Sequence, residues 1–102
     1  MQGAKLAYYN QQSLEYEELD FRDPMEIVSL YGNISLRNNV PFAHVHVVLS
    51  DAEGVARGGH LLPGGTPVFA CELMIEEFEG EPLIRQKDDA TGLTLWSKDR
   101  EL

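Results

Sequence analysis

The chain has 102 residues, enough for one domain with a single modest core. Its 43% hydrophobic and 25% charged residues are typical of a soluble globular protein, and its apolar runs are too short to span a bilayer. Seventeen acidic against 8 basic residues give a net charge of −9 without a basic cluster, which disfavours direct binding to nucleic-acid phosphates.

Turn residues recur about every eight to twelve positions, which predicts consecutive antiparallel strands in a mostly β fold. The predicted strands cover residues 5–9, 13–20, 25–36, 42–50, 55–62 and 66–78, and short apolar pieces follow at 83–84 and 93–96. Residues 25–36 are apolar on both faces and are predicted to be central, with a bend at Gly32. We expect an antiparallel sheet of about six to seven strands. A second layer, a partner subunit or a further segment must then cover its apolar face.

The pattern over residues 42–60 predicts a hairpin with three imidazoles on one face. His44 and His46 are two positions apart, so on a strand they point to the same side of the sheet. Asp51 and Gly54 have the preferences of a type I turn closed by a left-handed glycine, which gives a three-residue loop. That loop pairs His46 with His60, whereas a two-residue loop would send His60 to the opposite face.

His44, His46 and His60 are therefore candidate ligands of a metal ion. Neutral imidazoles are good ligands for zinc, and three protein ligands leave one position for water or substrate. The alternative is that hydrogen bonds within the fold, or an interface, satisfy the three rings. If a metal binds, its role stays open between structural, catalytic and ligand-binding.

Other candidate residues carry weaker signals. The single cysteine, Cys71, excludes an intrachain disulfide and is predicted to be a buried strand residue. Its neighbour Glu72 could reach the histidine face as a hydrogen-bond partner or general base. Arg57 and Arg85 could hold an anion, although surface ion pairs are expected for both. The sequence has no nucleophile elbow, P-loop or dinucleotide-binding motif, so no catalytic residue or reaction is indicated.

Three stretches, taken in order, resemble the PPC (plants and prokaryotes conserved) domain. They are IVSLYGNIS at residues 27–35, PFAHVHVVL at 41–49 and GGHLL at 58–62, and TGL at 91–93 also fits. The resemblance implies an antiparallel sheet with a helix, a homotrimer, and a histidine cluster that in some members is associated with a metal. Against the family pattern, residues 1–102 are expected to form a single domain that lacks the family's N-terminal strand and helix.

The resemblance also brings DNA into consideration. Plant members follow AT-hook motifs in nuclear DNA-binding proteins, whereas bacterial and archaeal members usually stand alone. Here no Arg-Gly-Arg-Pro run is present, and residues 23–28 differ from the plant segment used for partner contacts.

The leading hypothesis is a trimeric binding or interaction module that is related to DNA-binding proteins, and a non-enzymatic role is favoured. The alternatives are a small zinc-dependent enzyme or metal-dependent ligand-binding protein, and a DNA-binding protein that acts through a partner. The N-terminus lacks the apolar core of a signal peptide, so a cytoplasmic location without a membrane partner is expected.

Overall fold

A computed structural model describes residues 3–97, which form one seven-stranded sheet. The strands are β1 (Ala4–Asn10), β2 (Glu15–Phe21), β3 (Glu26–Arg37), β4 (Val40–Ser50), β5 (Ala56–Leu61), β6 (Ile84–Lys87) and β7 (Thr94–Trp96). Their order across the sheet is β2-β1-β5-β4-β3-β6-β7. The predicted mostly β fold is confirmed. Among the described residues, no helix has the length and apolar character that a membrane crossing requires.

One pairing in the sheet is parallel. Strands β3 and β6 run in the same direction, with Leu36 beside Ile84, so the prediction of an antiparallel sheet is wrong at this pair. After β5 the chain passes over one face of the sheet in residues 62–83 before it enters β6. Parallel strands need a long crossover of this kind, because a tight hairpin can only reverse the chain direction.

The crossing segment differs from the sequence prediction, because residues 66–78 form no strand. A strand here would need an open sheet edge, but the preceding strand, β5, is already paired with β1 and β4. The segment instead lies against the apolar face of the sheet, where Leu73 lines a groove with Leu30. Phe69 is exposed, and Cys71 is exposed rather than buried in a strand as predicted.

The core lies on this apolar face. It consists of Ala4, Leu6, Met25, Val47 and Leu49, with Leu19, Phe21, Ile27, Leu30 and Leu61 packed against them. Alternation along β4 places Val47 and Leu49 in the core, and it therefore places His44 and His46 on the opposite face. A register slip of one residue would move both imidazoles into the core, so burial of the apolar face holds the histidines in place.

Strand β3 passes through Gly32 without interruption, and its register with β4 is continuous there. The irregularity lies between Ile27 and Ser29, where the pairing with β4 slips by one residue. At position 32 a Cβ atom would collide with the carbonyl oxygen of His44. Glycine is thus needed because the β3 and β4 backbones approach closely beside the histidines.

Candidate metal centre

The loop between β4 and β5 sets the position of the third histidine. The Gly54 N–H donates to the Asp51 carbonyl at 3.0 Å, and Gly54 adopts a left-handed φ of 80°. The Asp51 carboxylate also accepts a hydrogen bond from the Val55 N–H at 2.9 Å. With this loop, His46 pairs directly with His60, so the predicted register is confirmed.

The three imidazoles converge on one face of the sheet. Nε2 of His44 lies 3.2 Å from Nδ1 of His60, and Nε2 of His46 lies 3.3 Å from Nε2 of His60. One nitrogen from each ring lies within 4.8 Å of the other two. His44 and His60 are half-buried and His46 is exposed, so the cluster is open to solvent on the His46 side.

The surroundings keep two of these rings neutral at pH 7. Burial, followed by the neighbouring His46 and His44, lowers the pKa of His60 to about 4. Burial, followed by the Arg85 guanidinium and His46, also lowers the pKa of His44. Neutral imidazole is the form that offers a lone pair to a metal, so these rings are in their ligating form near neutral pH.

Behind His44 lies Arg85, a residue of β6 that is only 8% exposed. Its Nε donates to the Ser35 hydroxyl and its Nη2 to the Asn33 side-chain oxygen, each at 3.0 Å. Its Nη1 donates to the Thr94 carbonyl, also at 3.0 Å. The expectation of a surface ion pair is therefore wrong for Arg85. Arg57, by contrast, lies near Asp51 at 3.8 Å on the surface, as expected.

A further contact of Arg85 determines the tautomer of His44. Nη2 of Arg85 lies 3.2 Å from Nδ1 of His44, and a guanidinium can only donate, so Nδ1 accepts and the ring proton sits on Nε2. That Nε2–H donates to Nδ1 of His60, whose Nε2–H donates to His46. This series of hydrogen bonds is the alternative to metal binding that the sequence analysis named. It occupies ring nitrogens that a metal would bind.

Tyrosines from β1 and β2 border the cluster. The Tyr16 ring meets the His60 ring edge-on at 5.2 Å between centroids, and Tyr9 packs against Tyr16 at 4.8 Å. Tyr9 and Tyr16 lie on the histidine face. Strand alternation alone does not predict this, because the prediction also needs the strand order β2-β1-β5.

Glu72 is exposed in the crossing segment. Within residues 3–97, the cluster of side chains that could hold a metal ion consists of three histidines, without a carboxylate. The donor set is therefore three imidazoles, which suits zinc and similar divalent metals and leaves a coordination position for water or another ligand.

The chain matches a known family profile. The profile of the Plants and Prokaryotes Conserved (PCC) domain matches residues 1–79. A search among curated proteins finds no match to the chain.

Several solved structures share the fold. A metal-containing protein of Archaeoglobus fulgidus is 40% identical with a TM-score of 0.87, and the match covers 95% of this chain and 67% of that one. A plant- and prokaryote-conserved (PPC) protein of Pyrococcus horikoshii is 37% identical with a TM-score of 0.83, covering 99% and 67%. A protein of Bacteroides thetaiotaomicron, provisionally named as DNA-binding, is 25% identical with a TM-score of 0.74, covering 98% and 68%.

Proposed function

The chain belongs to the Plants and Prokaryotes Conserved (PCC) domain family, and we propose that it is a homotrimeric, cytoplasmic binding module that holds a zinc ion on His44, His46 and His60. The observation that carries the proposal is the convergence of one nitrogen from each ring within 4.8 Å. The similar archaeal protein that is named for its metal supports the same conclusion.

The protonation state of the cluster is compatible with metal binding. Two of the three rings have pKa values lowered by burial and by positively charged or imidazole neighbours, so they resist protonation. Because neutral rings keep their lone pairs, they can bind a divalent cation without first losing a proton. A metal held there would supply one open coordination position, which suits the binding of a ligand.

The proposed trimer has a physical reason in the incompletely covered apolar surface. Large apolar side chains remain exposed on the strands and the crossing segment, among them Val28, Ile34, Phe69 and Phe78, each at least 61% exposed. Exposed apolar patches of this kind usually mark contact surfaces between proteins. Association of like chains would bury this surface and give the small core additional support.

The proposal is tested by measuring zinc content and oligomer mass on the same samples. Wild type is loaded with zinc and desalted, and we expect about one zinc per chain and the mass of a trimer. His46→Ala should lose most of the metal because it removes one of three ligands. Tyr31→Ala is the matched control and should keep its zinc. Tyr31 is the cross-strand neighbour of His46 on β3, and it is exposed.

Two results would contradict the proposal. Wild type that retains no zinc after desalting would exclude the metal site, as would His46→Ala that retains as much as wild type. A monomeric mass would exclude the trimer while leaving the metal site standing.

A DNA-related role through a partner is the second candidate. It is favoured by the provisional name of the similar Bacteroides thetaiotaomicron protein. The charge of −9 opposes direct contact with phosphates, so a partner would have to supply the basic surface.

A further inference from the structure

Arg85 is a buried cation that has no anionic partner among residues 3–97. It is 8% exposed, and its hydrogen-bond partners are the uncharged groups of Ser35, Asn33, Thr94 and His44. None of the ion pairs within residues 3–97 includes it. Buried charges in proteins are normally paired, because desolvation of an isolated charge is costly. The positive charge of Arg85 is therefore unbalanced.

Metal binding at the histidines would increase this imbalance. A divalent ion on three neutral imidazoles keeps two positive charges, and His44 connects it to the third charge, on Arg85. No carboxylate of the described residues belongs to the converging group. Like charges held close together repel more strongly in a partly desolvated site than in water. An anion is the group that would relieve the repulsion.

The direction of the hydrogens supports the same conclusion. If Nε2 of His44 binds the metal, the ring proton moves to Nδ1, which faces Nη2 of Arg85 across 3.2 Å. Two donors would then point at each other. Histidines that ligate metals usually donate their second N–H to a carboxylate, a carbonyl or water. An oxygen acceptor that replaced the direct contact between His44 and Arg85 would satisfy both the imidazole and the guanidinium.

Arg85 is held rigidly enough to recognise such a group. The rings of Phe42 and Trp96 flank its guanidinium at 5.8 and 5.5 Å. Trp96 also donates to the Ser35 hydroxyl at 3.2 Å, so the residue that fixes Arg85 is itself fixed. A preorganised guanidinium binds an oxyanion without first having to be ordered.

We propose that this site binds a small oxyanion, with a carboxylate or phosphate group, together with the metal, and that Arg85 recognises the anion. The inference rests on the proposed metal site and names the class of ligand that the site takes.

The test uses the full chain loaded with cobalt(II), whose visible spectrum reports its ligands. Cobalt is titrated first without added anion, and acetate and phosphate are then titrated in separate arms. We expect wild type to bind cobalt and at least one anion to change its spectrum saturably. Arg85→Gln should weaken anion binding by about tenfold or more, because it removes a charge-assisted hydrogen bond. Arg85→Lys keeps the positive charge but loses the planar guanidinium, so its anion affinity should lie between those of wild type and Arg85→Gln.

Arg57→Gln is the matched control, because Arg57 lies on β5 opposite Leu49 of the core face and is ion-paired at the surface. It should leave the anion titration unchanged. Cobalt binding that neither anion alters in wild type would overturn the oxyanion inference alone, as would equal anion affinity in Arg85→Gln and wild type. Failure of wild type to bind cobalt at all would overturn the metal proposal and this inference with it. If Arg85→Gln does not fold, the wild-type arms and Arg85→Lys still decide.

Discussion

The surroundings of two histidines in the cluster change the pKa of their rings. His60 and His44 have ordinary side chains, but burial and neighbouring positive or imidazole groups lower the pKa of both. A residue that titrates near neutral pH elsewhere is therefore kept neutral here. This is a property of position, and the sequence shows it only through the register that brings the rings together.

The lowered pKa of His60 predicts how stability depends on pH without metal. The unfolded chain binds a proton at His60 below about pH 6.5, whereas the folded chain does so only near pH 4. Protons therefore favour the unfolded state in this window, and the free energy of unfolding should fall as pH drops from 6.5 towards 4. Urea unfolding with a chelator present, at pH 7 and pH 5, measures the effect.

His60→Gln separates this residue from the other titrating groups. Because glutamine does not titrate, the variant should lose less stability than wild type between the two pH values. An equal loss in both proteins would show that His60 does not have a lowered pKa in the folded state.

At the scale of elements, the hairpin of β4 and β5 follows from local turn chemistry. Gly54 has a φ of 80°, and a Cβ there would meet no atom within 4 Å, so only backbone strain opposes a side chain. Gly54→Ala should lower the free energy of unfolding by about 1–2 kcal/mol. Gly54→Asn should lose less, because asparagine tolerates the left-handed region better. Thermal unfolding of the two variants makes the comparison, and equal stabilities would contradict the assigned turn.

Local features of this fold can be predicted from the sequence, whereas features that depend on the order of the strands cannot. The His46–His60 pair depends on a few residues of one loop, so the sequence predicts it correctly. The parallel β3–β6 pair and the path of residues 66–78 depend on which sheet edges are already occupied, and no local pattern encodes that. Alternating apolar residues in 66–78 therefore indicate a strand, although the preceding strand, β5, has no free edge with which it could pair.

The burial of Arg85 could not be predicted for the same reason. In sequence it is one basic residue in a short polar strand, typical of a surface position. Its burial follows from β6 pairing beside β3, which carries Asn33 and Ser35 on the histidine face. Alternation along β3 places those two side chains beside the histidines once its pairing with β4 is known. Only the crossover brings the arginine to them.

At the scale of the whole molecule, the charge of −9 makes a prediction about DNA. Binding to a duplex depends on Lys and Arg that neutralise phosphates, and this chain has 8 basic against 17 acidic residues. The purified protein should show no binding to a labelled DNA duplex at physiological salt, as measured by fluorescence anisotropy. Binding that weakens steeply as salt is raised would contradict this prediction and show direct phosphate contacts.

Exposed apolar side chains lie on both faces of the sheet. Ile34 is exposed on the core face, whereas Tyr31 and Val40 are exposed on the face that carries the imidazoles. Association of like chains could therefore bury apolar surface on either face, and measuring the zinc content and the oligomer mass on the same samples shows whether the two are linked.

The most direct test of the metal site is a crystal structure of the zinc-loaded protein with anomalous diffraction measured at the zinc edge. We expect one strong anomalous peak about 2.0–2.1 Å from a ring nitrogen of each of His44, His46 and His60. A zinc peak located elsewhere would contradict the proposed metal site. So would three imidazoles that remain hydrogen-bonded to one another with no peak between them.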